Sequence, residues 1–335
     1  MIGSALVALV PTVVRAGTDA APNATPTPAQ SAQAAQQAAL ERDFAELARQ
    51  DAAERARLTP EVRAAAKALA EKDYPDGRSA VAAVLQGPHR APGNAARDGQ
   101  RHPQETLELF GFAPDLTVLE YGPGEGWYTE ILAPALARRG KLYVTTPDPD
   151  GPKDQRPTLY AQRTKLFLER LPEAYGKVEP IVVDGKSPKL PLDGEVDLIL
   201  VMRGLHGMVN NGTLDAWLAE FHRALKPGGV LGVEQHRAAP GAVASETSKQ
   251  GYLPEAFVIE QVEKAGFKLA DKSEVNANPK DTRDHPEGVW TLPPTLRLGE
   301  RDRDKYLAIG ESDRMTLKFV KVADDGKDEK QGAAD

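Results

Sequence analysis

The amino-acid sequence predicts an α/β fold built on a parallel sheet with helices on both faces. Three observations carry this expectation. Short apolar runs alternate with helical patterns from about residue 105 to 237. One of these runs, VDLILVM at 196–202, is apolar apart from Asp197, as a strand buried on both faces should be. The first run leads into a glycine-rich turn, within TVLEYGPGEGWYTEIL at 117–132. Open sheets of this class bind ligands at such a turn.

The elements follow in order. Residues 2–14 form an apolar stretch of signal-peptide length, too short to span a bilayer, and Val14, Arg15 and Ala16 resemble a small-residue cleavage site. No Lys or Arg precedes the stretch, and Pro11 interrupts it. Residues 1–16 are therefore expected to be a signal peptide that exports the protein to the periplasm; a cytoplasmic protein is the alternative. Residues 17–37, rich in Ala, Pro, Thr and Gln, read as a flexible linker. Leu40, Phe44, Leu47 and Ala48 share one face of a helix over 40–58, and Thr59, Pro60 and Glu61 start a second. Pro75, Asp76 and Gly77 make a turn. Residues 38–104 thus form an N-terminal helical cap.

Strands are expected at 116–121, 141–146, 177–183, 196–202 and 229–236, with a helix starting near Gly126. Leu214, Trp217, Leu218, Phe221 and Leu225 lie at helical spacing, and LKPGG closes that helix. A helix over 254–265 and strands at 267–275 and 315–322 complete the domain. Between the last two strands, 276–313 has little periodicity and reads as a lid-like insertion. Residues 323–335 read as a disordered tail.

Composition narrows the function. The 335 residues carry a net charge of −7, which argues against a nucleic-acid partner. There is no cysteine, so disulfides, thiolate nucleophiles and zinc–thiolate sites are excluded. The glycine spacing is G-x-G-x-G, at Gly122, Gly124 and Gly126. Enzymes that cradle a dinucleotide pyrophosphate prefer G-x-G-x-x-G. Glu120 precedes the first glycine by two residues and suits a positively charged ligand without phosphate. S-adenosylmethionine meets that description better than NAD.

LEYGPGEG resembles the first motif of the class I S-adenosylmethionine-dependent methyltransferases. VDLILVM, LKPGGVLGVEQHR and MTLKFVKV are similar to later segments of that superfamily, so the resemblance covers about residues 105–322. RDGQRHPQETLELFG, GWYTEILAP, EVNANP and DHPEGVWTLPP resemble a bacterial branch of predicted, often exported, methyltransferases. The resemblance implies a Rossmann-like, seven-stranded, mostly parallel sheet with an antiparallel last strand. It implies S-adenosyl-L-methionine as cofactor, held by Glu120, Gly122, Gly124 and Gly126. The acid that holds the ribose in this superfamily is replaced here by Thr146, with Asp148 two residues later as the nearest candidate. Asp184 matches a position that contacts adenine. Pro134 departs from the pattern and should kink or end the first helix early.

The acceptor should lie at the carboxyl ends of the fourth and fifth strands. Arg203 and His206 follow the fourth; Glu234, His236 and Arg237 end the fifth. His206 is the first candidate for a base or acceptor-orienting group and His236 the second, with Arg203 beside them. The same types at Glu234, His206 and His236 suit a divalent ion, but they come from different strand ends. Arg90, Arg97 and Arg101, with two histidines, gather in HRAPGNAARDGQRHP; they bind an anionic substrate or brace helix ends. Trp127 and Tyr128 open the first helix, with Tyr128 nearer the ligand. Asn276, Asn278, Asp281 and Trp290 are candidates to line the acceptor pocket. The expected function is methyl transfer to a small molecule. The alternative is a non-catalytic protein binding a nucleoside-like ligand. A nicotinamide oxidoreductase is disfavoured by the glycine spacing.

Overall fold

The computed structural model describes residues 27–322. The expected export segment, the first ten residues of the linker and the tail lie outside these. The strands are β1 (Thr117–Tyr121), β2 (Lys141–Thr146), β3 (Glu179–Val182), β4 (Val196–Met202), β5 (Leu225–His236), β6 (Phe267–Ser273) and β7 (Arg314–Lys321). They form one sheet in the order β3-β2-β1-β4-β5-β7-β6. β1 to β5 pair in parallel. β7 lies antiparallel between β5 and β6. The order reverses between β1 and β4, and this opens a crevice at their carboxyl ends.

Helices cover both faces, and the alternation of side chains along β4 shows why its sequence is nearly all apolar. Leu198 and Leu200 face a core with Ile131 and Leu132. Ile199 and Val201 face the opposite core with Trp217, Leu218 and Phe221. Among the described residues no helix is long and apolar enough to cross a membrane.

Two boundaries differ from expectation. The first helix spans Pro28–Arg57, so residues 28–37 are helical rather than flexible linker. The Gln30 N–H donates to the Thr27 hydroxyl, and the Gln30 side chain accepts from the Thr27 N–H. This capping box starts a helix in a segment with little to bury, and Ala and Gln propagate it. The helix that leads into β5 spans Leu214–Ala224, and β5 begins at once with Leu225, so LKPGG enters the sheet. The β4–β5 register shifts between Val196 and Leu198 to accommodate it.

The N-terminal helical layer flanks the sheet. Leu40 and Leu47 pack with Leu159 of the helix Arg156–Arg170. The helix Pro60–Glu71 lies against the helix Thr129–Leu136. The 276–313 insertion is pinned by side chains rather than loosely draped. The Asn276 amide donates to the hydroxyls of Thr106 and Thr316 at 2.9 and 3.0 Å. Asn278 donates to the carbonyls of Ile309 and Glu311. Buried Asp281 accepts from the Tyr252 hydroxyl, His285 and the Asp313 N–H.

Pro134 sits inside the helix Thr129–Leu136, which continues two residues past it. Proline has no N–H for the carbonyl of Glu130, four residues earlier. His89 Nε2 supplies a donor instead, 3.0 Å from that oxygen. Burial pushes the His89 pKa down, so the ring is neutral and can carry its proton on Nε2. His89→Ala is expected to destabilise by about 1–3 kcal/mol, because it orphans a buried carbonyl. Pro134→Ala restores the helical N–H, and in that background the loss should shrink by roughly 1 kcal/mol. Urea unfolding of the two single variants and the double variant reads this coupling; strictly additive losses would sink it.

Candidate active site

Gly122, Gly124 and Gly126 follow β1, with φ of 55°, 61° and 80°. Left-handed backbone favours glycine at each, but the three do different things. A Cβ on Gly122 or Gly124 would meet no atom within 4 Å, so these two leave an open cradle. A Cβ on Gly126 would stand 2.4 Å from the Phe167 ring. Gly126 therefore admits a core aromatic.

Two cavities meet at this turn, and Gly122, Pro123, Gly124 and Tyr160 line both. The smaller, of about 290 Å³, is walled by Tyr121, Thr146, Pro147, Val183 and Trp217. Among the described residues lining it there is no carboxylate, and Arg163 is the one charged group. The Thr146 hydroxyl is buried without a hydrogen-bond partner. Asp148 and Asp184, expected at the ribose and adenine, do not line the cavity. Asp148 is exposed and accepts the Asp150 N–H at 2.9 Å. Asp184 is exposed and accepts the Lys186 N–H at 2.9 Å. Each aspartate caps its own loop two residues on, which satisfies the carboxylate locally.

The larger cavity, of about 450 Å³, brings together most of the expected residues: Glu120, Tyr128, Arg203, His206, His236 and Trp290. Asn276, Asn278 and Asp281 do not line it, because their polar atoms pin the insertion instead. No residue of the helices over 28–85 lines either cavity; the N-terminal contribution comes from Arg97 and Arg101.

Glu120 is 3% exposed and accepts from the Thr129 hydroxyl at 2.7 Å. Burial pushes its pKa up to about 7, against the Thr129 hydrogen bond and the Arg203 charge. Arg203 has φ of 59°, a left-handed turn directly after β4. Its N–H donates to the Glu234 carbonyl and its Nη1 to Glu234 Oε1 at 3.2 Å. Burial opposes the Arg203 charge, but Glu234 and Glu311 more than offset this and raise its pKa.

Glu234 is the hub that the sequence only partly signals. It is fully buried. It accepts the Tyr128 hydroxyl at 3.0 Å and faces Arg203 at 3.2 Å and Arg314 at 3.4 Å. Its oxygens are thus engaged by protein, which argues against a metal role. Among the described residues no group of three or more His, Asp or Glu side chains is placed to hold a metal ion. Glu311 was missed entirely. Both its oxygens lie 2.9 Å from Arg101 Nε, and Arg314 Nη1 donates to it at 2.7 Å. Burial opposes its charge, yet Arg101, Arg314 and Arg203 hold its carboxyl below the usual range.

The His206 and His236 rings lie 5.9 Å apart, and Trp290 stands 5.9 Å from His206. Burial lowers the His206 pKa, with Arg203 adding to it against the Gln235 hydrogen bond. Burial, then His206 and the surrounding arginines, hold His236 well below its usual value. Both rings are neutral at neutral pH. The Gln235 amide nitrogen, fixed by its 2.8 Å bond to the Gly251 carbonyl, points at His206 Nδ1 from 3.4 Å. That leaves the His206 proton on Nε2. His236 Nδ1 is paired with the Ser312 hydroxyl.

A family profile described as "Methyltransferase domain" matches residues 119–233. No curated protein matches the chain. Among solved structures, a SAM dependent methyltransferase from Aquifex aeolicus is similar, with 19% identity, 68% of this chain and 93% of that one covered, and a TM-score of 0.45. The [4+2]-cyclase SpnF is 20% identical, with 67% and 82% covered and a TM-score of 0.48. The 1,6-didemethyltoxoflavin-N1-methyltransferase of Burkholderia thailandensis, solved with 1,6-didemethyltoxoflavin and S-adenosylhomocysteine, is 15% identical, with 76% and 94% covered and a TM-score of 0.41.

Proposed function

We propose that this chain, which belongs to the class I S-adenosylmethionine-dependent methyltransferases, methylates a small molecule held in the larger cavity, with S-adenosylmethionine lying across the glycine turn. The observation that carries this reading is the position of the turn at the junction of an apolar cavity and a polar one. The residues fit the cofactor. The smaller cavity suits adenosine, and the unpartnered Thr146 hydroxyl is available to a ribose oxygen. The cradle over Gly122 and Gly124 admits the chain that follows, and Glu120 is a buried carboxylate at the seam for its ammonium. When bound, the cofactor supplies a methyl group already activated on a sulfonium.

The protein then contributes chiefly orientation, which can supply several kcal/mol of a barrier. Tyr128 acts through its bond to Glu234, which fixes the wall carrying Arg203. His206 presents Nε2–H to the cavity and orients the acceptor. His236, neutral and braced by Ser312, is the second candidate to take a proton. Trp290 and the Pro293–Pro294 segment wall the cavity and help to exclude water.

Calorimetric titration with S-adenosylhomocysteine tests the cofactor site. Wild type should bind, and Gly124→Val should not. A Cβ there would meet no protein atom within 4 Å, so the main stability cost is left-handed strain, at least roughly 1–2 kcal/mol for a β-branched residue. Gly126→Ala should do the reverse, losing stability against Phe167 more than affinity. Unchanged binding in folded Gly124→Val would overturn the placement of the cofactor.

A further inference from the structure

The larger cavity holds more guanidinium than its protein partners use. Arg97 is half-buried; its Nε donates to the Gly93 carbonyl at 3.1 Å and its Nη2 to the Asn94 side chain. Nη1 makes no hydrogen bond among the described residues. Arg101 is 4% exposed and spends Nε on Glu311, while its two terminal nitrogens are unbonded. Its guanidinium lies over the Trp127 ring, 4.9 Å from the centroid. Arg203 spends Nη1 on Glu234 and leaves Nε and Nη2.

Charge balance agrees with this inventory. Three guanidiniums, of Arg97, Arg101 and Arg203, line the cavity; Glu311 pairs with Arg101, Glu234 behind the wall pairs with Arg203, and Arg314 faces both acids. Besides Glu311, the acids lining the cavity are Glu120, beside the glycine turn, and Glu125, which is largely exposed, lies 3.5 Å from Arg163 and also acts on Arg97. His206 and His236 add no charge at neutral pH. Burial, and after it the charge of Arg203, push the Arg101 pKa down to about 9, with Glu311 opposing. Crowded guanidiniums with spare forked donors are matched by a planar anion.

We propose that the cavity recognises its methyl acceptor by a carboxylate, gripped by the free N–H groups of Arg97, Arg101 and Arg203. This rests on the methyltransferase reading and adds the class of substrate to it. The amino-acid carboxylate of the cofactor has the same chemistry and is the competing source.

Calorimetry separates the two. Protein saturated with S-adenosylhomocysteine is titrated with succinate and with succinamide, its neutral counterpart. Succinate should bind at least roughly tenfold more tightly. Arg97→Ala should weaken succinate by about tenfold and leave S-adenosylhomocysteine within about twofold. Arg97→Lys, which keeps the charge and loses the fork, should fall between them and guards against misfolding of the alanine variant. Equal binding of succinate and succinamide overturns the proposal. So does an Arg97→Ala variant that weakens S-adenosylhomocysteine but not 5′-methylthioadenosine, which lacks the amino-acid carboxylate; the arginines would then serve the cofactor. If S-adenosylhomocysteine does not bind at all, the cofactor reading fails, and succinate against the free protein still reads the arginines.

Discussion

Glu234→Ala is expected to destabilise the protein by roughly 3–5 kcal/mol, the typical result of removing one partner from a buried ion pair. The carboxylate is fully buried, and its loss takes from Arg203 its ion-pair partner at 3.2 Å and leaves Arg314, now 3.4 Å from it, with Glu311 as its remaining carboxylate. The Tyr128 hydroxyl, itself buried, loses its acceptor as well. Glu234→Gln keeps an acceptor for Tyr128 and should fall between wild type and alanine. Urea unfolding of the three proteins measures this. A loss below about 1 kcal/mol for Glu234→Ala would mean that the arginines are solvated and that the hub is ornamental.

Glu120→Gln should uncouple cofactor affinity from pH. The folded-state pKa of Glu120 is raised to about 7, mainly by burial. An acid raised above its unfolded value binds more protons folded than unfolded. Its contribution to stability is therefore lost as pH climbs from the ordinary carboxylate range through about 7. A ligand ammonium needs the ionised form. Wild-type affinity for S-adenosylhomocysteine should thus fall by up to about tenfold per unit below pH 7 and level off above it. The glutamine variant should bind about 10–100-fold more weakly at pH 8, with a flat profile, and should unfold at higher urea than wild type there. Equal affinities at pH 8 would remove Glu120 from the cofactor site, whatever the stability data show.

The parts of the site carried by local pattern were legible in the sequence. The glycine turn, Glu120, and the histidines after β4 and β5 sit where apolar runs end, and runs are visible in a sequence. The capping box at Thr27 and Gln30 was equally visible, but a composition of Ala, Pro and Gln hid it behind the look of a linker. The Arg101–Glu311 pair was not legible, because its members are 210 residues apart and Glu311 looks like an ordinary surface charge. The 276–313 insertion has no period to read. What orders it is side-chain hydrogen bonding from Asn276, Asn278 and Asp281, which leaves no repeat in the sequence. Asp148 misled for a related reason. An aspartate near a strand end can serve a ligand or its own turn, and here it serves Asp150.

The position of β7 sets an order in time. It follows the other six strands in sequence, yet it lies between β5 and β6. A nascent chain can make the glycine turn early, but β6 has no neighbour in the sheet until residues 314–321 have left the ribosome. Until then one edge of β5 is bare, and Glu234 waits for Arg314. An unfinished chain is therefore both catalytically incomplete and edge-exposed, and exposed edges recruit other strands.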